Sequence, residues 1–154
     1  MGQVEGRLAA VGLSVPQVVP PLAAYVPAVR EGSWIFTSGQ LPMRDGSLMR
    51  TGLVGAEVRI EHATECAAQA ALNALGAIKS VIGNLDEVLR VVKVVGYVAT
   101  APGFIEIPHV VNGASALLQT AFGDAGTHAR SAIGCASLPL GSPVEIELTV
   151  SVAG

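Results

Sequence analysis

Residues 88 to 100 read Val88-Leu89-Arg90-Val91-Val92-Lys93-Val94-Val95-Gly96-Tyr97-Val98-Ala99-Thr100. Strand periodicity puts Val92, Val94 and Val98 on one face and Val91, Val95 and Ala99 on the other. Both faces are largely apolar. A sheet with helices on one face and water on the other shows polar residues on its wet side. This strand does not, so both of its faces are expected to be covered.

The neighbouring segments supply one of those covers. From Glu61 to Ile82, Ala63, Ala67, Ala70, Ala74, Ala77 and Val81 recur at spacings of four and three, which predicts a helix. Leu75, Ile78 and Ile82 widen its apolar stripe, and Glu65, Gln69, Asn73, Gly76 and Ser80 form the polar side. Gly83-Asn84 supplies the stop. Pro108 to Phe122 predicts a second helix with Val110, Ala114, Leu117, Leu118 and Ala121 inward, ended by Gly123 to Gly126. Upstream, Glu5 to Gly12 reads as a short helix and Ser14 to Pro21, with three prolines, as an extended lead-in. Tyr25 to Val29 and Ser33 to Gln40 read as strands turning at Glu31-Gly32. Leu41 to Val58 is glycine-rich and irregular, with room for a short strand. The order β-β-α-β-α-β-β gives an α+β sandwich with helices on one face. Residues 1–154 are expected to form a single domain, residues 1–20 being an N-terminal extension.

Composition narrows the classes of function. Of 154 residues, 14% are charged, against roughly 25% in ordinary soluble domains. Apolar residues make up 51% before the 18 glycines are counted, and mean hydropathy is +0.55. No apolar run approaches the ~18 residues of a membrane span. The surplus apolar surface is expected at a subunit interface, which resembles a core cut in half. Net charge is −3, with two lysines and seven scattered arginines, so the basic stripe of a nucleic-acid binder is missing. Met1 to Leu13 lacks the apolar centre of a secretory signal. Cys66 and Cys135 stand in no metal or redox spacing, read as buried small residues, and fit a reducing cytoplasm. No metal and no cofactor is expected. His62, His109 and His128 show no Ser-His-Asp order or ligand spacing, and no phosphate loop or dinucleotide fingerprint occurs.

The last two strands carry the candidate chemistry. The stretch from His128 to Pro139 places Arg130, Ala132 and Gly134 on one face and Ser131, Ile133 and Cys135 on the other. Val144 to Val152 points Val144, Ile146, Leu148, Val150 and Val152 one way and Glu145, Glu147, Thr149 and Ser151 the other. Leu138 to Pro143 reads as the loop of a hairpin between them. A hairpin centred near Leu140 sets Arg130 opposite Val150, well away from Glu145. Another subunit or a ligand is then needed to join the arginine to that glutamate.

The chain also resembles a known family. Tyr25-Val26-Pro27-Ala28-Val29, Phe36-Thr37-Ser38-Gly39-Gln40-Leu41-Pro42, Val111-Asn112-Gly113-Ala114-Ser115 and Ala129-Arg130-Ser131, with Leu138-Pro139 and Val144-Glu145-Ile146-Glu147, are similar to the YjgF/RidA or "endoribonuclease L-PSP" family. The N-terminal segment and Val54-Gly55-Ala56-Glu57 point to its longer, chorismate-mutase-like branch. The resemblance implies a mixed sheet of the chorismate-mutase-like (bacillus) type. It also implies a homotrimer around a central barrel, with sites at the subunit clefts. The activity it implies is hydrolysis of enamine and imine intermediates to 2-oxo acids and ammonia. In that reading Arg130 grips a small carboxylate, which suits its planar fork, and Glu145 positions water or relays a proton. Tyr25, Ser38, Gly39, Asn112 and Ala132 line the pocket.

One departure stands out. The well-studied deaminases of the family have cysteine at the position of Ala132, so only a backbone carbonyl remains there to meet an amine. Cys135 lies on the opposite face and does not replace it. Enamine/imine deaminase, non-catalytic binder of 2-oxo acids, endoribonuclease and chorismate mutase are the readings to separate. The acidic charge weighs against the third. The single well-placed arginine weighs against the fourth.

Overall fold

The computed structural model describes residues 1–18 and 24–154. Its elements are α1 (Gln3–Ala10), β1 (Ala28–Glu31), β2 (Trp34–Thr37), β3 (Met43–Arg44), β4 (Ser47–Leu48), α2 (Ile60–Ile82), β5 (Val88–Ala99), α3 (Ile107–Phe122), β6 (Ala129–Cys135) and β7 (Val144–Val152). Five strands form a mixed sheet in the order β1-β2-β7-β5-β6, and β3 pairs with β4 in a small separate hairpin. The expected α+β order of strands and helices is therefore present; the short helix expected at Glu5 to Gly12 is α1, and the room for a short strand within Leu41 to Val58 is taken by the β3–β4 hairpin. Of the lead-in expected at Ser14 to Pro21, residues 14–18 form no regular element, and the rest lies outside the described residues.

Helices α2 and α3 pack together and cover one face of the sheet. Val144, Ile146, Leu148, Val150 and Val152 of β7 point into that layer and are buried. The alanines of α2 from Ala63 to Ala77 are buried against it, their small side chains letting the helix backbone approach the strands. Gly83, at φ +80°, closes α2 by turning its N–H back to the Lys79 carbonyl. Helix α1 buries Val4 and Leu8. Its first turn is held by Asp86, whose carboxylate accepts from the N–H of Gln3 (2.7 Å) and of Val4 (2.9 Å). That is a cap supplied from 83 residues away.

Three expectations are corrected. First, β6 and β7 do not form a hairpin. β6 runs parallel to β5 at the sheet edge, whereas β7 lies between β2 and β5. The two prolines and the glycine of the Leu138–Pro143 loop signal a turn but not its span, and here it carries the chain over β5.

Second, β5 does not keep strict alternation. Val88 pairs Val152 while Arg90 pairs Ser151, and Val91 pairs Val150 while Lys93 pairs Thr149. Twice β5 spends two residues against one of β7, the signature of a bulge. Val91 thereby joins Val94 and Val98 on the buried helix side. Lys93, Val95 and Tyr97 occupy the other face and are half-buried.

Third, regular pairing in β1 begins only at Ala28, because Pro27 has no N–H to offer a ladder. β2 ends at Thr37, with Gln40 rejoining β7 as an isolated bridge to Ile146.

Part of the polar side of α2 is covered. Gln69 is buried, and its Oε1 accepts from Arg44 Nε (3.1 Å) and Nη2 (3.0 Å). Its Nε2 donates to Asn73 Oδ1, and Asn73 Nδ2 donates to the carbonyls of Leu41 and Met43. This seam anchors the β3–β4 hairpin to the helix.

The face of the sheet away from the helices carries Trp34 (45% exposed), Phe36 (48%) and Ile133 (43%) beside Glu145 and Glu147. Among the described residues no helix is long and apolar enough to cross a membrane.

Candidate functional site

Arg130 sits on the edge strand β6. The parallel register sets Arg130 beside Val94, Ala132 beside Gly96 and Gly134 beside Val98, all on the helix side. Gly96 has no side chain, and Val111 of α3 packs into that space. Helix α3 therefore lies close against β5 and β6, within reach of the guanidinium. Arg130 Nη1 donates to Asn112 Oδ1 (2.7 Å) and to Ser115 Oγ (3.3 Å), and Nη2 donates to the Pro108 carbonyl (3.4 Å). Asn112 and Ser115 are three residues apart on α3 and so share one face. Nε–H and one N–H of Nη2 have no acceptor among the described residues. The ion pairs of the described residues are Arg59–Glu61 and Lys79–Glu5, so Arg130 has no carboxylate partner there. Three neutral acceptors aim a half-buried cation and leave its charge uncompensated.

The network continues past Ser115. Ser115 Oγ lies 2.9 Å from His128 Nε2, and His128 Nδ1 lies 2.6 Å from the Gly126 carbonyl. A carbonyl only accepts, so Nδ1 carries a proton. In the neutral ring Nε2 then accepts from the Ser115 hydroxyl.

Glu145 occupies a second location. It lies opposite Tyr97 on the face away from the helices. Residues 38–40 run over it, fixed by Gln40 N–H to the Ile146 carbonyl (2.8 Å) and Ile146 N–H to the Gln40 carbonyl (3.0 Å). Gly39 rests on the Glu145 carboxylate so closely that a Cβ there would overlap Oε1. Burial, and then the charge of Glu147, raises the Glu145 pKa above its ordinary 4.5. The Tyr97 hydroxyl donates to Glu147 Oε1 at 3.3 Å, and burial and Glu147 push the phenol up as well. Cys135 stands on this same face, only partly buried, correcting the expectation that both cysteines are core residues. Its thiol is raised by burial and by Glu145, while that of fully buried Cys66 is pushed up to about 11 by burial.

Tyr25 is 60% exposed. It lines a cavity of about 470 Å³ together with Gly39, Pro27, Leu41 and Asn73. Ser38 is engaged locally, its hydroxyl donating to the Val26 carbonyl at 2.6 Å and its N–H to the Pro27 carbonyl at 2.8 Å. Ala132 packs, half-buried, against the core beneath α3.

The chain thus assembles two groupings. One joins Arg130, Asn112 and Ala132, and the other runs along the chain from Ser38 to Gly39, which faces Tyr25 across the cavity and rests on Glu145. Arg130 and Glu145 lie on opposite faces of the sheet, and β5 separates their strands. No single chain brings them together. Ser115 was absent from the expected pocket, and the signal for it is the three-residue spacing from Asn112. His128 stands two residues before Arg130 in the sequence. Among the described residues no group of three or more His, Cys, Asp or Glu side chains could hold a metal ion.

Comparison with known proteins agrees with this architecture. Residues 5–151 match the family model described as "YjgF/chorismate mutase-like, putative endoribonuclease", and the chain belongs to that family. It is 37% identical over 152 residues to Protein TCP17 of Trypanosoma cruzi, covering 98% of this chain and 95% of that one. A crystal structure of a protein of unknown function from Agrobacterium tumefaciens is similar at 41% identity and a TM-score of 0.91, over 98% of this chain and 92% of that one. A "putative endoribonuclease" from Shewanella oneidensis is similar at 32% identity and a TM-score of 0.94, over 98% and 100%.

Proposed function

We propose that this protein binds small carboxylates of the 2-oxo or 2-imino acid type in clefts between subunits of a homotrimer, and that residues 1–154 act as one unit. We propose further that it hydrolyses enamine and imine intermediates there to 2-oxo acids and ammonia. The observation that carries this reading is the uncompensated Arg130 guanidinium, aimed by Asn112, Ser115 and Pro108. Preset donors of fixed charge bind a planar carboxylate at little cost in reorganisation. The division of candidate residues between two sheet faces supports a composite site. A second copy laid on the face bearing Trp34, Phe36 and Ile133 buries apolar surface and can carry its own Arg130 grouping to the neighbour's Glu145 grouping. Glu145, held close to Gly39 with a raised affinity for protons, is then the group that activates water for addition.

The test is calorimetric titration with 2-oxobutyrate, paired with ammonia release from freshly generated 2-aminoacrylate. Saturable binding is expected, with Arg130→Ala lowering affinity roughly 10- to 100-fold. Wild-type protein that binds no carboxylate would overturn the reading. A non-catalytic binding role is the second reading, favoured by Ala132 where the deaminases of the family have cysteine. It predicts the same binding with no ammonia release above buffer, and no gain of turnover in Ala132→Ser or Ala132→Cys.

A further inference from the structure

We propose that Ser115 and His128 form a proton relay serving the Arg130 site, so that capture of a carboxylate is coupled to uptake of a proton. The inference rests on the carboxylate-binding reading above. It starts from an asymmetry in the hydrogen bonds. Arg130 Nη1 can only donate, so Ser115 Oγ accepts from it at 3.3 Å. The Gly126 carbonyl can only accept, so His128 holds a proton on Nδ1 at 2.6 Å whatever its charge. The one variable bond is Ser115 Oγ to His128 Nε2 at 2.9 Å.

With neutral His128 the serine proton lies in that bond, and the remaining lone pair of Oγ is the group offered to a ligand. With His128 protonated, Nε2–H donates to Oγ, and the serine proton is released to point at whatever Arg130 holds. A bound carboxylate adds negative charge beside the guanidinium and favours the second state. An amine leaving a tetrahedral carbon needs a proton as its C–N bond breaks. Ser115 O–H can give it, Oγ recovering a proton from Nε2–H, while the hydroxyl added by water gives up its proton to solvent water and its oxygen becomes the ketone. Ser115 is then a catalytic residue, and His128 a positioning residue that acts through it.

His128 has few other charges to answer to. Beside Arg130 on its own strand, the elements packed around it carry Arg90 and Lys93 on β5, His109 on α3 and Asp124 in the turn after α3. Arg90 is occupied by the Thr127 carbonyl. Ser115 is the only side chain hydrogen-bonded to the His128 ring among the described residues. Nothing in this arrangement needs the thiol that Ala132 lacks.

The experiment is 2-oxobutyrate titration of the full-length protein by calorimetry at pH 6, 7 and 8, each in two buffers of different ionisation enthalpy. Any proton taken up elsewhere, at Glu145 for example, is common to all variants and cancels between them. The wild type should take up a fraction of a proton at pH 7 and bind roughly fivefold tighter at pH 6 than at pH 8. His128→Gln and Ser115→Ala should bind with little pH dependence and lower uptake, and Ser115→Thr should restore both. Equal proton uptake in wild type and His128→Gln would overturn the relay while leaving carboxylate binding intact. No binding heat in the wild type at any pH would remove the binding reading and the relay together.

Discussion

The backbone of Gly39 rests directly on the carboxylate of Glu145, leaving no room between them for a single methyl group. The contact fixes where one oxygen of Glu145 can lie, and it keeps water off that side of the acid. Gly39→Ala should push the carboxylate aside while leaving the helix-covered core untouched. We expect about a tenfold loss of 2-oxobutyrate affinity or turnover, with a circular dichroism spectrum like that of the wild type. A variant with full affinity would separate Glu145 from the site.

The raised Glu145 pKa has a consequence for stability. An acid whose protonated form the fold prefers contributes fully below its unfolded value, near 4.5, and loses that contribution as pH rises through the higher folded value. Glu145→Gln should therefore melt at a higher temperature than wild type at pH 7.5. The difference should close as the pH falls toward 4. Parallel melting curves at both pH values would contradict the assignment.

Asp86 has the opposite sign. The N–H groups of Val4 and Gln3 hold its carboxyl below the usual 3.8. Its contribution is present above pH 3.8 and disappears as pH falls through the lower folded value. Asp86→Ala should lower the melting temperature by a few degrees at pH 7 and release α1. Hydrogen exchange at residues 3–10 would report the release directly.

Gly113 marks where α3 meets α2, since a Cβ there would overlap the Thr64 carbonyl. The obstacle is helix backbone, which cannot step aside. Gly113→Ala should cost about 3 kcal/mol, read as a lower midpoint in urea with an unchanged slope. Asn112 is its immediate neighbour, so this variant should also weaken ligand binding.

The helices and the element order were legible because alanine and valine periodicities are local. What escaped was set by pairing across the sheet. The bulges that bring Val91 onto the face of Val94 answer to β7, which lies more than fifty residues further on. The partner of β6 could not be read from the prolines at 139 and 143, because a turn signal says where a strand stops and not beside which strand the next begins. The same limit divided the site. Arg130 and Asn112 were readable one by one, and their 2.7 Å contact follows from parallel pairing of β6 with β5 beneath α3. Nothing in a helical period tells that Arg44 and the carbonyls of Leu41 and Met43 cover part of the polar stripe of α2.

The strand that bears Arg130 has a sheet neighbour on one side only. Peripheral strands exchange their amide protons through small openings that leave the interior closed. The guanidinium is therefore carried by a strand whose outer amides open more readily than those of the strands inside the sheet. An occupant bridging Arg130 and α3 would quieten that border, so its arrival should be visible as slowed deuterium incorporation along residues 129–135 even where no atom moves far.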